Sequence, residues 1–475
     1  MISASFSRSL LDRVEVQRDK LFCAFSENES RLTYQALAER VGKCVKAMQE
    51  MGVGPGYRVG LQLPTSPELV IYLLAVMKVG ALAVPIDPAL HPDTSAVMLK
   101  ILDPHILVTS SECAPKLRHS ATPSPETESA RLGVFTSGST GLPKCVLLSD
   151  ANLQAGVDYV VRAHGIGDGD TAVCCLPLSH MNGIMTTLLT PLTTGGTVVF
   201  VQGGFSPLVF VSLLQQYRAT WFSAVPPHYR MLLDLREAPT GLEACRFGRS
   251  ASAPLNPNVQ ERFEALFRIP VIETMGLTEC AGQVFANPMV MSERKFGSVG
   301  RPVGNEAEVV DEQGNPALDE QTGEIRVRGP NVMLGYFRAP ETTVEVLRDG
   351  WLYTGDIGYR DSDGFFHITG RKKLIAIFSG INISLVAVEE AAKSLHFVKD
   401  AAAVACADPL FGEVIDLYYT GGNDEARERL ELQERVRRLL PHHLAMRKII
   451  RIAEVPRSPS GKVLRYRLPL GEMSQ

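Results

Sequence analysis

The pattern of apolar and polar positions over the first 275 residues predicts alternating helices and strands. Apolar residues at helical spacing after Thr33 predict a helix that continues to Met51. A strand at 59–63, a helix at 67–79 and a strand at 81–86 follow it. The alternation continues with helix 151–164, strand 197–201, strand 221–225, helix 227–235 and strand 271–274. Such alternation is typical of parallel α/β architecture.

The pattern changes after residue 297, where short strands and turns replace the longer elements and predict a smaller β subdomain. Beyond residue 370 a compact tail contains one charged helix at 425–440. We therefore predict an α/β protein. Its large N-terminal domain has two α/β subdomains and a small β subdomain, and a small mobile C-terminal α+β domain follows. The predicted boundaries are 1–370 for the first domain, 371–374 for a hinge and 375–475 for the second.

Composition narrows the class of protein. A chain of 475 residues is too long for one ordinary core. The net charge of −4 makes nucleic acid an unexpected partner. Nine cysteines without a C-x-x-C pair indicate reduced thiols and a cytoplasmic location. No signal peptide is recognised, and the most apolar stretch, 69–86, is interrupted by Lys78 and Gly80, so no membrane span is expected.

A loop rich in glycine and hydroxyl groups lies between two apolar runs at 132–135 and 145–148. Glycines let backbone N–H groups approach an anion, hydroxyls donate hydrogen bonds and a lysine adds charge. The loop differs from a Walker A motif, because Pro143 precedes the lysine and Cys145 follows it. Taken alone it is also compatible with a surface turn. Its candidate phosphate-binding residues are Thr136, Ser137, Gly138, Ser139, Thr140, Gly141 and Lys144.

Six further motifs occur in order around this loop. They are Met77-Lys78-Val79-Gly80-Ala81, Pro177-Leu178-Ser179-His180, Gly276-Leu277-Thr278-Glu279, Tyr353-Thr354-Gly355-Asp356, Gly370-Arg371-Lys372-Lys373 and Pro459-Ser460-Gly461-Lys462. Together with the loop they resemble the adenylate-forming superfamily, which includes acyl- and aryl-CoA synthetases, adenylation domains of peptide synthetases and firefly luciferase. The resemblance extends over nearly the whole chain.

The resemblance implies two half-reactions with ATP and Mg²⁺. A carboxylate attacks the α-phosphate of ATP to give an acyl-adenylate and pyrophosphate, and a thiol then displaces AMP. The glycine-rich loop would hold the β- and γ-phosphates, Thr278 would contact the α-phosphate and Glu279 would hold Mg²⁺, a cation that prefers oxygen ligands. Met275 and Gly276 would lie beside the adenine. Asp356 would accept both ribose hydroxyls with support from Arg371.

The resemblance also assigns roles to the C-terminal part of the chain. Lys462 would bridge the carboxylate and the α-phosphate during adenylation. Lys373 would be the pivot about which the C-terminal domain rotates between the half-reactions. Gly380 and Asn382 would line the path of the incoming thiol.

Several residues depart from the family pattern. Met275 stands where an aromatic residue is common, and Ala251 and Ser252 stand where two glycines are usual. Cys145 replaces a glycine, although the family needs no protein nucleophile and no base is evident beside it. Leu385 and Ala387 replace a proline and a glutamate close to the thiol path, so the sequence leaves the thiol acceptor open between CoA and a carrier protein.

The acid is expected to be other than a free α-amino acid, because Met181 stands where amino-acid activators have an aspartate that pairs with the ammonium. The sequence favours an aryl or medium acyl carboxylate in an apolar pocket that has a few polar groups. Arg249 could instead pair with a second carboxylate, although arginines on strands often have structural partners. The candidate pocket residues are His180, Met181, Asn182, Trp221, Phe222, Pro226, His228, Arg249, Ser250, Ala251 and Ser252.

Three functions remain open from the sequence alone. The first is an acid–thiol ligase that uses CoA. The second performs the same adenylation and delivers the acyl group to the phosphopantetheine of a separate carrier protein. The third is a nucleotide- or acyl-binding protein without catalysis, which is disfavoured because Lys144, Glu279, Asp356, Arg371 and Lys462 are all present. Carboxylate-dependent ATP–pyrophosphate exchange distinguishes the third from the others. The sequence gives no indication of the oligomeric state.

Overall fold

The computed structural model describes residues 5–12, 14–27, 30–109, 123–136, 143–235, 237–378, 381–408, 412–439, 446–457 and 463–469. The chain divides into two compact units. Unit 1 comprises Met1–Ala307 and Val327–Leu352, and unit 2 comprises Glu308–Arg326 and Tyr353–Gln475. The predicted α/β class, with a large N-terminal and a smaller C-terminal domain, is confirmed. The division places 353–370 with the C-terminal unit, and the boundary at residue 371 stays a prediction.

The helices are, in chain order, α1 Phe6–Ser9, α2 Val14–Gln17, α3 Tyr34–Glu50, α4 Pro67–Lys78, α5 Pro92–Leu102, α6 Asp150–His164, α7 Thr190–Thr194, α8 Pro207–Gln216, α9 Pro226–Leu232, α10 Pro257–Phe267, α11 Pro340–Val346, α12 Leu385–Lys393 and α13 Glu425–Leu439.

The strands that begin in unit 1 before residue 303 are β1 Leu21–Phe25, β2 Arg31–Thr33, β3 Arg58–Leu61, β4 Leu82–Pro85, β5 Ile106–Val108, β6 Ala130–Thr136, β7 Lys144–Ser149, β8 Thr171–Cys174, β9 Thr197–Phe200, β10 Trp221–Ala224, β11 Phe247–Ser250, β12 Val271–Leu277, β13 Gly282–Ala286 and β14 Arg301–Pro302. The later strands are β15 Glu306–Val310, β16 Gly323–Arg328, β17 Gly335–Tyr336, β18 Leu347–Arg348, β19 Trp351–Arg360, β20 Phe366–Arg371, β21 Ile375–Phe378, β22 Ile381–Ser384, β23 Val398–Asp408, β24 Gly412–Gly421 and β25 Met446–Arg451.

Two sheets organise unit 1. The larger has the order β14-β13-β12-β11-β10-β8-β9-β1-β2, and its strands from β12 to β1 run parallel. The smaller has the order β17-β7-β6-β4-β3-β5, with β4, β3, β5 and β6 parallel and β7 antiparallel to β6. The carboxyl ends of parallel strands lie at one edge of a sheet, where α/β proteins place their ligands. Strands β8, β10 and β11 end at such an edge.

Helix starts follow local chemistry that the sequence carries. Ser66 Oγ accepts a hydrogen bond from Leu69 N over 3.2 Å at the start of α4, where a proline occupies the first turn. Ser149 and Asn152 form a reciprocal cap at the start of α6. Glycine in the left-handed conformation ends α6, since Gly165 has φ 59°. The predicted starts of α4 and α6, at residues 67 and 151, lie within one residue of those in the structure.

A π-helix over Asn182–Leu189 is the least regular element of unit 1. It meets α7, whose first turn contains Pro191. At the C-terminal end of the π-helix, Thr190 N donates to Met185 O, five residues back. The wide turn sets the direction of Asn182, which is half-buried.

Unit 2 contains a small sheet in which β16 lies between β15 and β19, with β20 antiparallel to β19. A second sheet has the order β22-β21-β24-β23, and β25 pairs in parallel with β24. Helix α12 packs on β23, and apolar residues of α12, α13 and β24 form one core. The predicted α+β character of the C-terminal part is confirmed by these elements.

Among the described residues, no helix is long and apolar enough to cross a membrane. The eight cysteines in the described part of the chain are not in disulfide bonds. The Cys145 side chain is fully buried, and burial raises its pKa to about 12. A protonated thiol without access to solvent is a poor nucleophile, in agreement with the expectation that Cys145 has no catalytic role.

Candidate functional site

The glycine-rich loop joins β6 to β7, and its two ends face each other across the hairpin. Thr136 and Lys144 form the last residue pair between these antiparallel strands. Thr136 Oγ1 donates to Lys144 O over 3.4 Å. The Lys144 ammonium lies 5.1 Å from the centre of the Tyr336 ring. The loop residues Ser137, Gly138, Ser139, Thr140 and Gly141 lie outside the described residues.

Glu279 lies in a single 3₁₀ turn, Thr278–Cys280, directly after β12. Residues 275–279 are all half-buried, so this turn reaches the surface of unit 1, whereas residues 271–274 of β12 are buried. A Cβ atom on Gly276 would lie 2.3 Å from Gly282 O on the neighbouring strand. Glycine at position 276 therefore allows β12 and β13 to approach closely just before the turn that carries Glu279.

A short segment, 333–337, connects the Glu279 turn to the strand that begins with Lys144. Its N-terminal residue, Met333, donates its N–H to Glu279 O over 2.8 Å. Its other end forms β17, which pairs antiparallel with β7. The Tyr336 hydroxyl donates to Glu279 Oε1 over 2.8 Å. Segment 333–337 thus connects the strand of Lys144, the predicted phosphate-binding lysine, to Glu279, the predicted metal-binding carboxylate.

Arg249 on β11 is the centre of a buried polar network. Its Nε and Nη2 donate to Gln283 Oε1 over 3.1 and 2.9 Å. Its Nη1 donates to Asn182 Oδ1 over 2.9 Å and to Ser223 Oγ over 3.2 Å. The imidazole of His164 contacts the same Gln283 oxygen through Nε2 at 3.0 Å. The network therefore joins β10, β11, β13, α6 and the π-helix.

The charge of Arg249 has no acidic partner in the described part of the chain. The residue is 2% exposed, and all its hydrogen-bond acceptors are neutral oxygens. Burial lowers the pKa of this guanidinium to about 10, so it stays charged at neutral pH. Burial and the nearby Arg249 charge lower the pKa of His164 to about 3, so that ring is neutral. Unit 1 thus holds a desolvated positive charge without a counter-ion, an unfavourable arrangement unless an anion joins it.

Several buried polar atoms near these elements also have no protein partner. They are His180 Nε2, Asn182 Nδ2, Ser250 Oγ and Gln283 Nε2, together with Ser179 Oγ and Trp221 Nε1. Buried polar groups in native proteins nearly always have partners. Four of these six residues were predicted from the sequence as pocket residues, and Arg249 lies among them in the same sheet region.

The other predicted pocket residues have different environments. Phe222 is in the core of the large sheet, 5.1 Å from Phe210 between ring centres, and Trp221 stacks on Phe247 on the opposite face. His228 stacks on Phe205 at 4.0 Å, and burial lowers its pKa to about 4.

The remaining members of the predicted pocket set lie at the ends of elements. Pro226 is the first residue of α9, Met181 is buried directly before the π-helix, and Ala251 is buried directly after β11. Ser252 has φ 74°, a left-handed conformation that favours glycine. That strain agrees with the family pattern, in which glycine is usual at this place.

In unit 2, Asp356 and Arg371 are opposite each other on β19 and β20. Arg371 Nε lies 3.2 Å from Asp356 Oδ1. Asp356 is buried, whereas the Arg371 side chain is 37% exposed, so the pair contributes little to stability by itself. The structure therefore brings together the two residues predicted to bind ribose.

The remaining predicted residues are described only in part. Lys373 lies in the turn Lys372–Leu374 after β20, and Asn382 lies on β22, each with the backbone alone described. Gly380 and Lys462 lie outside the described residues. The roles predicted for these four residues stay predictions.

Sequence reasoning missed Tyr336, Ser223, Gln283 and His164. Gln283 follows a glycine and precedes Val284 and Phe285 on a buried strand. A single polar residue in such an apolar run indicates a buried polar side chain, so Gln283 could have been found from the sequence. Tyr336 gave no such signal, because its contact with Glu279 depends on the pairing of β17 with β7.

Similarity to known proteins identifies an enzyme that binds AMP. The family of AMP-binding enzymes matches residues 10–132 and 119–337, and the C-terminal domain of these enzymes matches residues 387–462. The chain belongs to this family, the adenylate-forming enzymes. The sulfoacetate–CoA ligase of Cupriavidus necator is 37% identical over 484 residues, which cover 95% of this chain and 94% of that protein. The oxalate–CoA ligase of Arabidopsis thaliana is 30% identical and covers 91% of this chain and 92% of its own length.

Solved structures agree with this placement. ATP-bound MatB from Rhodopseudomonas palustris superposes with a TM-score of 0.86 at 25% identity, covering 98% of this chain and 97% of that one. The o-succinylbenzoate CoA synthetase of Bacillus subtilis, in complex with its acyl-adenylate, has a TM-score of 0.86 at 23% identity, with 98% coverage of both chains. The protein is an AMP-forming acid–CoA ligase. It activates a carboxylic acid with ATP as an adenylate and then forms a thioester with CoA.

Proposed function

We propose that the acid activated by this ligase is short and carries a second anionic group, such as a sulfonate or a second carboxylate. The observation that supports this proposal is the buried Arg249 guanidinium, whose partners are Asn182, Ser223 and Gln283, all neutral. A positive charge in a desolvated place lowers its free energy by pairing with an anion. The second group of the acid would supply that anion while the first carboxylate is activated.

The unsatisfied donors around Arg249 support the same substrate class. Asn182 Nδ2, Gln283 Nε2 and Ser250 Oγ are buried without protein partners. A sulfonate or carboxylate offers several acceptor oxygens, so it could satisfy more than one of these donors at once. Relatives named for sulfoacetate and oxalate, both of which are short acids with two anionic groups, are in line with this proposal.

The alternative is the aryl or medium acyl acid favoured by the sequence. Aromatic side chains in the predicted pocket support it, although Phe222 packs into the core and Trp221 stacks on Phe247. Feruloyl-CoA synthase of Amycolatopsis sp, at 30% identity, is a relative named for an aromatic acid. The activities of the enzyme with acids of both classes, compared in the experiment below, distinguish the two proposals.

For adenylation we assign roles to this chain's own residues. The loop from Thr136 to Lys144 would hold the β- and γ-phosphates, and Thr278 would bind the α-phosphate. Met275 and Gly276 would contact the adenine, and Asp356 with Arg371 would bind the ribose. The carboxylate of the acid is already ionised, so the site has to neutralise charge and align the attack more than move protons. Lys462 would then stabilise the charge that develops between the acid and the α-phosphate.

Mg²⁺ fits the residues present. The described residues contain no group of three or more His, Cys, Asp or Glu side chains that could enclose a metal ion. Magnesium in nucleotide sites uses one or two carboxylates together with phosphate oxygens, so the single carboxylate of Glu279 suffices. When bound, the ion would neutralise the charge of the triphosphate. Glu279 would hold it through an oxygen that Tyr336 leaves available.

The thiol acceptor of the ligase is CoA. A separate carrier protein is the second acceptor to be tested, because Leu385 and Ala387 replace residues that are usual beside the thiol path. Ser384 Oγ accepts from Ala387 N over 3.2 Å, so this segment begins helix α12. Gly380 and Asn382 would line the path to the adenylate. We place this chemistry in the cytoplasm, where ATP, CoA and reduced thiols occur together.

The test is an acid panel measured by acid-dependent ATP–pyrophosphate exchange. It includes sulfoacetate, oxalate, malonate and succinate against benzoate, ferulate and hexanoate. We expect the highest kcat/KM for an acid with two anionic groups, and Arg249→Gln should lower that value by about 100-fold or more. Higher activity with the monoanionic acids would overturn the proposal. Adding CoA or a phosphopantetheinylated carrier protein to the active acid then compares the two acceptors.

A matched control separates loss of substrate binding from loss of stability. Arg294 is also a buried arginine of unit 1, but it pairs with the Glu264 carboxylate at 2.7 Å. Arg294→Gln should lower the free energy of unfolding while the ranking of the acids stays the same. A change of ranking in Arg294→Gln as large as that in Arg249→Gln would count against a specific role of Arg249.

A further inference from the structure

Tyr336 contacts two charged side chains that the proposed function places on the triphosphate. Its hydroxyl donates to Glu279 Oε1 over 2.8 Å, and its ring lies 5.1 Å from the Lys144 ammonium. The side chain is 8% exposed, so both contacts are made in a largely desolvated environment. One side chain thereby joins the start of β7 to the turn that follows β12.

The backbone around Tyr336 makes this position rigid. Tyr336 pairs with Val146 across β17 and β7, and its N–H donates to Thr343 Oγ1 over 2.9 Å. Three residues earlier, Met333 N donates to Glu279 O. The tyrosine is therefore fixed to both elements by main-chain bonds, and its side chain has little freedom to turn away.

Each contact has a defined physical effect. A hydrogen bond to one oxygen of a carboxylate orients that group and leaves the second oxygen to a cation, as the outer partners of metal ligands commonly do. The face of an aromatic ring attracts an ammonium group and restricts its position. Both effects align charges before ATP arrives, so that less ordering is needed when it binds.

We propose that Tyr336 is a positioning residue for the adenylation half-reaction, acting through Glu279 on the divalent cation and through Lys144 on the triphosphate. The inference rests on the roles assigned to those two residues under the proposed function. Tyr336 would touch neither the acid nor CoA, so thioester formation from a supplied acyl-adenylate does not depend on it.

Two substitutions separate the two contacts. Tyr336→Phe retains the ring beside Lys144 and removes the hydroxyl that binds Glu279, whereas Tyr336→Leu removes both. Binding is measured directly by titrating Mn²⁺ into the protein–ATP complex without acid and following free Mn²⁺ by its electron paramagnetic resonance signal. We expect Tyr336→Phe to weaken Mn²⁺ binding about 10-fold. Metal-free ATP should bind Tyr336→Phe like the wild type and Tyr336→Leu about 3-fold or more weakly.

The control is Tyr34→Phe, because Tyr34 is a buried tyrosine whose hydroxyl donates to Gly196 O over 2.7 Å in another part of unit 1. Its Mn²⁺ affinity should equal that of the wild type. If Tyr336→Phe binds Mn²⁺ like the wild type while Glu279→Gln binds it more weakly, the role of Tyr336 is overturned and the role of Glu279 stands. Wild-type affinity in both variants would overturn the assignment of Glu279 as well. The rate of thioester formation from supplied acyl-adenylate is also measured in every variant. An unchanged rate supports a role of Tyr336 in adenylation alone. An equal loss in thioester formation contradicts that role.

Discussion

At the scale of single residues, unit 1 contains ionisable groups whose environment opposes their charge. Glu273 is the clearest acidic example. It lies on β12, is 4% exposed, and accepts one hydrogen bond from Leu255 N over 3.1 Å, while its second oxygen has no partner. Burial raises the pKa of this carboxyl to about 7. The group precedes the Glu279 turn on the same strand, so its protonation bears on the stability of that region.

Glu273→Gln should stabilise the protein at high pH. The reference pKa is 4.5, so between pH 4.5 and about 7 the folded chain keeps a proton that the unfolded chain releases. The stability contributed by the protonated group is complete below pH 4.5 and is lost as the pH rises through 7. At pH 8 the variant should gain up to about 3 kcal/mol, and at pH 4.5 very little. Urea unfolding at both pH values measures this, with the exposed Glu128→Gln as a control. A gain independent of pH would contradict the assignment.

Single residues also mark the limit of what the sequence predicts. The motif residues Lys144, Glu279, Asp356 and Arg371 were found because each lies in a short recognisable run. Arg249 was found only as one of two possibilities, a structural ion pair or a partner for the acid. Its neutral partners come from β10, β13 and the π-helix, and no local pattern indicates which strands will be neighbours.

At the scale of elements, the pattern of apolar and polar residues predicted the helices α3, α4, α6, α9 and α13, whereas the other helices were not predicted. Helical spacing of apolar residues defined these helices and apolar runs defined buried strands, whereas the caps Ser66 and Ser149 were found only in the structure. The end of α9 was placed at 235 in the prediction and lies at Leu232 in the structure, because the apolar pattern continues past the last helical turn. The π-helix at Asn182–Leu189 was not predicted, since such helices are rare.

The close approach of β12 and β13 gives a prediction at this scale. Gly276→Ala would place a Cβ atom 2.3 Å from Gly282 O, so the strands must separate. We expect a loss of about 1–3 kcal/mol in stability. ATP binding should also weaken, because Glu279 follows three residues later. Thermal unfolding and ATP titration measure the two effects.

Gly42→Ala is the matched control for that variant. Gly42 lies on the exposed face of α3, and a Cβ atom there would meet nothing within 4 Å. Alanine in a helix interior is more favourable than glycine, so stability should rise by about 0.5–1 kcal/mol. Equal destabilisation of both variants would show that crowding between β12 and β13 is not the cause.

At the scale of the whole molecule, the chain distributes its predicted chemistry between two units. Lys144, Glu279 and Arg249 belong to unit 1, whereas Asp356 and Arg371 belong to unit 2. The predicted boundaries differ from this division, because they placed Asp356 in the N-terminal domain and Arg371 in the hinge. The sequence also did not predict that 308–326 would join the C-terminal unit, since the association of that segment depends on the pairing of β15 and β16 with β19.

Lys462→Ala tests the division of labour between the two half-reactions. Removing a charged donor to developing negative charge should lower acid-dependent ATP–pyrophosphate exchange by about 100- to 1,000-fold. Thioester formation from supplied acyl-adenylate and CoA should stay close to the wild-type rate. Lys399→Ala, an exposed lysine of the same unit, is the control. Equal loss in both half-reactions would contradict a role confined to adenylation.

The guanidinium of Arg249, held only by neutral oxygens, has a consequence for the fate of the enzyme in the cell. A ligand that binds the folded state alone shifts the folding equilibrium by mass action. An acid that neutralises this charge would therefore prolong the life of the polypeptide against proteases, even in the absence of ATP. Under that condition the concentration of the acid would affect the amount of enzyme as well as its turnover.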